Sequence, residues 1–330
     1  MQLKSGPPID LPAEAPPQLL VVIDTEEEFD WNKPVDRQST SVEAMQYIGQ
    51  VQDIFDEYDI TPCYVIDYPV ASQFEGYTLL KQFQQNGRCE IGAHLHPWVN
   101  PPLDEDLIPA NTYPGNLAKE LELAKLKVLT DQITESFGKA PNIYKAGRYG
   151  FGKNTSSILT QLGYQIDLSY SPAFNHGGDG GPDYRFVHSQ PFWLNDEKTL
   201  FEIPITGAYT GIAGKASRVL YDFAQAGKKF KLPAIFSRSG IVDRLVLSPE
   251  GYTSQEHVKL TRELYGQGVR SFTWSFHSPT VMPGTTDYVR NDQDVKKFLD
   301  SFRYYFDFFF NKMNGVATTP SKLKSQLESL

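Results

Sequence analysis

Two histidines one residue apart, His94 and His96, follow a short apolar run and precede Pro97-Trp98. In an extended segment, residues two apart point the same way, so both imidazoles face one side of the chain at a strand end. Near the start, a first apolar run empties into Asp24-Thr25-Glu26-Glu27-Glu28. Two imidazoles and a carboxylate are the ligand set of a hydrolytic zinc site that keeps a position open for water. A plainer reading of the acidic run is a solvated helix start, where acids complement the helix dipole. Asp24, directly at a strand end, is a costly place for an idle charge.

Such groups need a scaffold to bring them together. Short apolar runs fit for buried parallel strands occur at 19–23, 60–66, 89–93, 143–146, 164–168, 199–205 and 269–276. Helical patterns lie between them. One opens at Ser41 as N-cap and continues through Met45, Ile48, Val51, Ile54 and Phe55. Another runs through Leu79, Leu80 and Phe83 to Asn86-Gly87. Others cover 117–137, ending at Gly138, and 155–162, ending at Gly163, with further ones at 219–226 and 255–265. A last helix over 292–310 places Val295, Phe298, Leu299, Phe302, Phe306 and Phe309 on one face. The proline-rich stretch 97–115 and the Gly-, Asp- and His-rich stretch 171–191 read as long loops, and 231–247 yields no assignment.

Repeated βα units imply a parallel sheet with right-handed crossovers. About seven strands without a Gly-rich phosphate loop favour α/β architecture of the distorted (β/α) barrel kind over an open dinucleotide-binding fold. The expected division is an N-terminal extension over 1–18, a barrel domain over 19–312 and a C-terminal tail over 313–330.

Composition narrows the function classes. A chain of 330 residues with 40% hydrophobic and 22% charged residues can bury a barrel-sized core. Its net charge of −9 argues against nucleic acid or an anionic membrane as partner. The opening residues lack the basic start, apolar stretch and small-residue cleavage site of a signal peptide, and no stretch has a membrane-spanning length of apolar residues. Cytoplasmic residence is the default expectation. Cys63 and Cys89 are too few for a disulfide framework and read as small buried hydrophobes. The oligomeric state leaves no signal.

The remaining polar residues gather at strand ends. Arg148 follows the fourth strand, Asp167 lies in the fifth, and Ser275 and His277 end the last; in a barrel these converge on one rim with Asp24, Glu26, His94 and His96. Arg148 sits in Gly-Arg-Tyr-Gly-Phe-Gly, a sequence that suits amide groups presented by a sharp turn, or simply a turn before a helix. His277 beside Trp274 and Phe276 reads either as a core histidine or as a general acid. The acids around His176 are candidates for a cleft border or for Asx turns. No Gly-x-Ser-x-Gly elbow supports a serine triad.

These residues resemble the polysaccharide deacetylase family, the fourth carbohydrate esterase family and its relatives, over roughly residues 19–277. Val22-Ile23-Asp24-Thr25-Glu26 is similar to the first family motif, His94-Leu95-His96-Pro97 to the second, Arg148-Tyr149-Gly150-Phe151-Gly152 to the third, Asp167-Leu168-Ser169 to the fourth and Phe276-His277 to the fifth. Phe29-Asp30-Trp31 and Trp98 resemble a divergent subgroup associated with polysaccharide and cell-wall biosynthesis. The resemblance implies Asp24 as base, Arg148 as the residue holding Asp24, and His277 as general acid, with Asp167 supporting His277 or pairing with Arg148. It also implies that His94 and His96 bind a divalent metal, zinc by preference. Thr25 stands where the family has a second Asp, which moves the carboxylate ligand to Glu26 or Asp24, and amides near Phe151 and Gly152 are expected to hold the oxyanion. The implied activity is hydrolysis of an amide C–N bond, deacetylating an N-acetylated sugar or polysaccharide precursor. The alternatives are a cyclic amide or ureide hydrolase on the same scaffold and a non-catalytic glycan-binding relative. Binuclear amidohydrolases also use His-x-His, but on their first strand, and the position on the third argues against them.

Overall fold

The structure is a computed structural model that describes every residue except Asp10, Lys228, Phe230 and Leu330, and of Lys215 and Ala234 the backbone alone. The seven expected strands are all present: β1 (Gln18–Thr25), β2 (Cys63–Ile66), β3 (Glu90–Leu95), β4 (Ile143–Ala146), β5 (Ile166–Asp167), β7 (Phe201–Glu202) and β10 (Ser271–His277). They run parallel in the order β10-β1-β2-β3-β4-β5-β7, and a short antiparallel β6 (Phe192–Trp193) extends the edge. The sheet curls into a barrel. Its open side is spanned by the chain leaving β7, where the Ile205 amide donates to Tyr170 and the Thr206 amide to Thr273 on β10. A two-stranded ribbon, β8 (Gly207–Thr210) with β9 (Asp243–Val246), rises from this bridge.

The helices are α1 (Ile48–Glu57), α2 (Tyr68–Ser72), α3 (Phe74–Gln85), α4 (Lys119–Phe137), α5 (Thr155–Gln161), α6 (Ser217–Ala226), α7 (Leu232–Arg238), α8 (Ser254–Gly266), α9 (Asp292–Phe306) and α10 (Pro320–Glu328). The stretch 231–247 holds α7 and β9. Ser41 is not the cap expected of it: a 3₁₀ turn over Glu43–Tyr47 precedes α1, and the Glu28 carboxylate accepts from the Glu43 and Ala44 amides. The last long helix stops at Phe306 and widens into a π-helical turn. Its apolar face packs on β10, with the Phe302 ring 4.6 Å from Trp274 and 5.3 Å from Phe276.

Period-two alternation sorts each strand. On β1, Leu19, Val21 and Ile23 face the helices, whereas Leu20 and Val22 face the barrel interior with Cys63, Val65, Ile143, Ile166, Leu168, Phe201 and Ile203. Leu11 and, from α10, Leu323 and Leu327 belong to this interior cluster and stop its lower end. β11 (Val316–Ala317) pairs with the start of β1. Among the described residues no helix is long and apolar enough to cross a membrane.

Two loops flank the strand-end rim. The proline-rich stretch wraps the buried ammonium of Lys125, which donates to the carbonyls of Pro97, Asn100 and Pro102 and pairs with Glu105 at 2.9 Å. Gly115 and Gly152 cross in backbone contact, so a Cβ on Gly152 would stand 2.1 Å from the Gly115 carbonyl. Thr155 ties down this crossing by accepting from the Gly152 amide and donating to Glu122. Burial pushes the Glu122 carboxyl up to about 7, although the Thr155 hydroxyl opposes the shift. The folded state therefore holds this proton more tightly than the unfolded chain. The associated stability is complete below the ordinary glutamate range and is lost as pH rises through about 7. Glu122→Gln is expected to leave the melting temperature unchanged at pH 4.5 to 5 and to raise it at pH 8, by on the order of 2 kcal/mol in stability. Thermal denaturation across that range checks this, and parallel curves for the two proteins would contradict it.

Candidate active site

The same alternation that fills the lower barrel with aliphatics brings polar side chains to its upper mouth. Asp24 continues the inward row of Leu20 and Val22, Lys145 that of Ile143, and His94 and His96 that of Gly92. On β10 the outward residues are Phe272, Trp274 and Phe276, which leaves Thr273, Ser275 and His277 facing in. All lie at the C-terminal ends of parallel strands, where barrel sites form.

Glu26, His94 and His96 converge. Glu26 Oε2 lies 3.4 Å from Nε2 of each histidine, and the three side chains are almost wholly buried. Each imidazole spends its other nitrogen: His94 Nδ1 donates to the Lys145 carbonyl at 3.0 Å and His96 Nδ1 to Glu27 Oε2 at 2.8 Å. Both Nε2 lone pairs therefore turn toward Glu26. Burial lowers the His94 pKa, and lowers that of His96 to about 4, so both rings are neutral, the form that ligates metal. Burial also raises Glu26, whose Oε1 has no hydrogen-bond partner. A buried, unpartnered carboxylate oxygen beside two aimed imidazoles fits a divalent cation: donor atoms of the three residues lie within 4.8 Å of one another.

Behind this trio, Glu27 accepts from His96 and, at 2.7 Å, from Trp98 Nε1, and its amide donates to Asp67. Burial raises both carboxyls, and the Glu27 charge pushes Asp67 higher still, so Asp67 carries the proton of the pair. The Trp98 ring stacks on His96 at 4.2 Å. This is the carboxylate support that fixes a metal-binding imidazole.

Asp24 stands beside the trio. Its Oδ1 receives the Lys145 ammonium at 2.5 Å, and its Oδ2 lies 3.5 Å from His277 Nε2. Burial alone would raise its pKa, but the charges of Lys145 and His277 bring it down to about 2. His277 Nδ1 bonds Glu250 Oε2 at 2.7 Å, and Thr280 fixes the other oxygen of Glu250. Burial works to lower the His277 pKa, but Glu250, Glu26 and Asp24 together raise it to about 10, so the ring is an imidazolium. The mouth thus holds an ionised carboxylate and a charged imidazole within reach of one point.

Three expectations are corrected. Arg148 does not hold Asp24. Its guanidinium pairs with Asp179, donates to Thr112 and lies 4.4 Å over the Tyr113 ring, while Lys145 holds Asp24. Arg148 and Tyr149 are consecutive left-handed residues, with φ of 53° and 58°, and this backbone turns the guanidinium toward the rim. Asp167 supports neither His277 nor Arg148. It alternates with the inward Ile166 and Leu168, faces out, and shares a proton with Glu202, which burial and the Asp167 charge raise well above the carboxylate range. The Phe151 and Gly152 amides are spent on Tyr149 O and Thr155 Oγ1 and offer nothing to an oxyanion.

Lys145, Glu250 and Glu27 went unread in the sequence. Lys145 leaves a signal, a cation alternating with Ile143 in an apolar strand. Glu250, in a loop far from the other motifs, leaves none. Asp179 does border the cleft, while Asn175 of the same loop makes an Asx turn with the Gly177 amide.

Above the trio opens a cavity of about 490 Å³, lined by Asp24, Glu26, His94, His96 and His277 below and by Trp31, Tyr113, Tyr149, His176, Arg148 and Asp179 around its wall. No protein-family model and no curated protein matches the chain in sequence. Solved structures do match. A candidate polysaccharide deacetylase from Mycobacterium smegmatis superposes with a TM-score of 0.56 at 12% identity, over 99% of this chain and 96% of its own. The Puue allantoinase superposes with a TM-score of 0.59 at 13% identity, over 98% and 94%. The chain has the fold of the polysaccharide deacetylases, the fold that its motifs imply.

Gly147 presses on the trio: a Cβ there would lie 2.4 Å from His96 Cδ2. Gly147→Ala is expected to weaken divalent-ion binding by about 10- to 100-fold, read by chelator competition, with circular dichroism unchanged. Wild-type affinity in that variant would show that the imidazole position does not depend on this contact.

Proposed function

We propose that this chain hydrolyses amide C–N bonds with a divalent cation, zinc by ligand chemistry, and that its substrate is an N-acetylated sugar or polysaccharide precursor. The observation that carries the proposal is the meeting of Glu26, His94 and His96 with the ionised Asp24 and charged His277 at one mouth of a deacetylase-type barrel. Glu26, His94 and His96 would hold the cation, which supplies a Lewis acid that brings the ionisation of water to about pH 7.

The chain's own groups do the rest. Asp24 takes the proton of the attacking water at its Oδ2, while Lys145 on Oδ1 and Ser275 behind Lys145 keep that carboxylate ionised and oriented. His277 gives its Nε2 proton to the departing nitrogen, and Glu250 fixes the ring through Nδ1. Glu27 and Trp98 hold His96 in one tautomer. Trp31, half-open to solvent and 4.8 Å from the His277 ring, offers a face against which a sugar ring packs.

A second reading, hydrolysis of a cyclic amide or ureide, draws on the likeness to the Puue allantoinase. Assays of acetate release from N-acetylated sugars and of ring opening of cyclic ureides separate the two. Asp24→Asn and His277→Ala are each expected to lower kcat by about 10²- to 10⁴-fold. Lys145→Gln is expected to approach Asp24→Asn, whereas Arg148→Gln, which touches the rim, should act mainly on KM. Chelation should abolish turnover and added zinc restore it. Turnover that survives chelation and both Asp24→Asn and His277→Ala would sink the proposal; a chain that binds no metal and releases no product would be the glycan-binding relative instead.

A further inference from the structure

The segment between β8 and β9 has no part in the chemistry above. The described residues between them hold α6 and α7, a small helical lobe on the ribbon. Ser217 and Ala224 of α6 are buried, and Tyr221 packs on Tyr209 of β8 at 5.2 Å. Val219 and Phe223, on the face of α6 opposite Ser217 and Ala224, are open to solvent at 63% and 60%, and Ile212 and Ile235 of the same segment are 84% and 52% exposed. Elsewhere among the described residues only Met1 and Phe74 are large apolar side chains this open. Val219 and Phe223 are one helical turn apart on α6, and Phe223 meets Phe236 of α7 at 6.4 Å. The lobe is also basic. In a chain with 31 cationic and 40 acidic side chains, residues 211–241 hold six cations and a single acid, Asp222. That acid is paired with Arg185. Lys229, Lys231 and Arg238 of this segment stand exposed.

We infer that this lobe docks the protein on an anionic phospholipid bilayer, with Ile212, Val219, Phe223 and Ile235 entering the headgroup boundary and the lysines and arginine meeting lipid phosphates. An amphipathic helical surface of exposed aliphatic and aromatic side chains ringed by cations is the chemistry of interfacial binding. Protein interfaces, by contrast, are depleted in lysine. The charge of the whole chain, which argues against such a surface, averages over a basic lobe and a more acidic barrel. The ribbon-facing side of the lobe connects to the cavity wall: Arg244 of β9 lies 5.5 Å over Tyr221 of α6 and 4.0 Å over Phe174, which stacks on His176.

Sedimentation of the full chain with phosphatidylcholine vesicles, with and without phosphatidylserine, tests this without reference to catalysis. The expected result is binding to the phosphatidylserine vesicles that high salt releases, and little binding to phosphatidylcholine alone. The double variants Phe223→Asp/Ile235→Asp and Lys231→Glu/Arg238→Glu should each lose at least about tenfold in partitioning with unchanged circular dichroism, while Phe74→Asp on α3 should bind as wild type. Wild-type protein that stays in the supernatant, or double variants that bind like wild type, would overturn the inference. So would a wild-type dimer that Phe223→Asp/Ile235→Asp dissociates in the absence of vesicle binding, which would assign the face to a second copy.

Discussion

Asp24 and Lys145 form an ion pair in a barrel whose interior below them is largely apolar, with Leu20, Val22, Ile143 and Phe201 facing in. Each charge alone would be expensive there, and removing either partner leaves the other buried and uncompensated. The pair marks the level at which the interior changes from packing to chemistry. The polar groups of the mouth gather round it: Ser275 touches Lys145, His277 faces Asp24, and the His94 Nδ1 proton goes to the carbonyl of Lys145 itself. One lysine thus places Asp24 through its ammonium and the His94 imidazole through its backbone.

How much of this was legible follows from parity. The strands were readable because buried parallel strands are short apolar runs, and the mouth was readable because Asp24, His94, His96 and His277 continue those runs with polar residues. Asp167 shows the limit. Its position in the chain matches a family motif, but its side chain alternates with the inward Ile166 and Leu168 and so leaves the barrel. The role expected of Arg148 failed for a backbone reason: a left-handed pair at Arg148 and Tyr149 redirects the side chain, and no spacing rule anticipates this where neither residue is glycine. Glu250 could not be found because loop geometry, not period, delivers it to His277.

The acidic run shows why composition alone misleads. A solvated helix start is a fair reading of four acids in five residues, yet Asp24, Glu26 and Glu27 are buried and each answers a different partner. Only Glu28 serves a helix start, and it does so from a distance, capping the 3₁₀ turn that follows a loop. Conversely, the stretch that resisted assignment did so because α7 is only seven residues long and turns Ile235 out to solvent, which leaves no clear apolar stripe.

β1 is bonded along both edges, to β10 on one side and to β11 and then β2 on the other. A strand so enclosed cannot fray: its amide protons exchange with solvent only when the whole sheet comes apart. Asp24 is mounted on this strand and Glu26 follows directly after it, so the reference frame of the site is backbone held from both sides. Breathing of the rim loops changes what enters the cavity and leaves the spacing of the reacting groups alone.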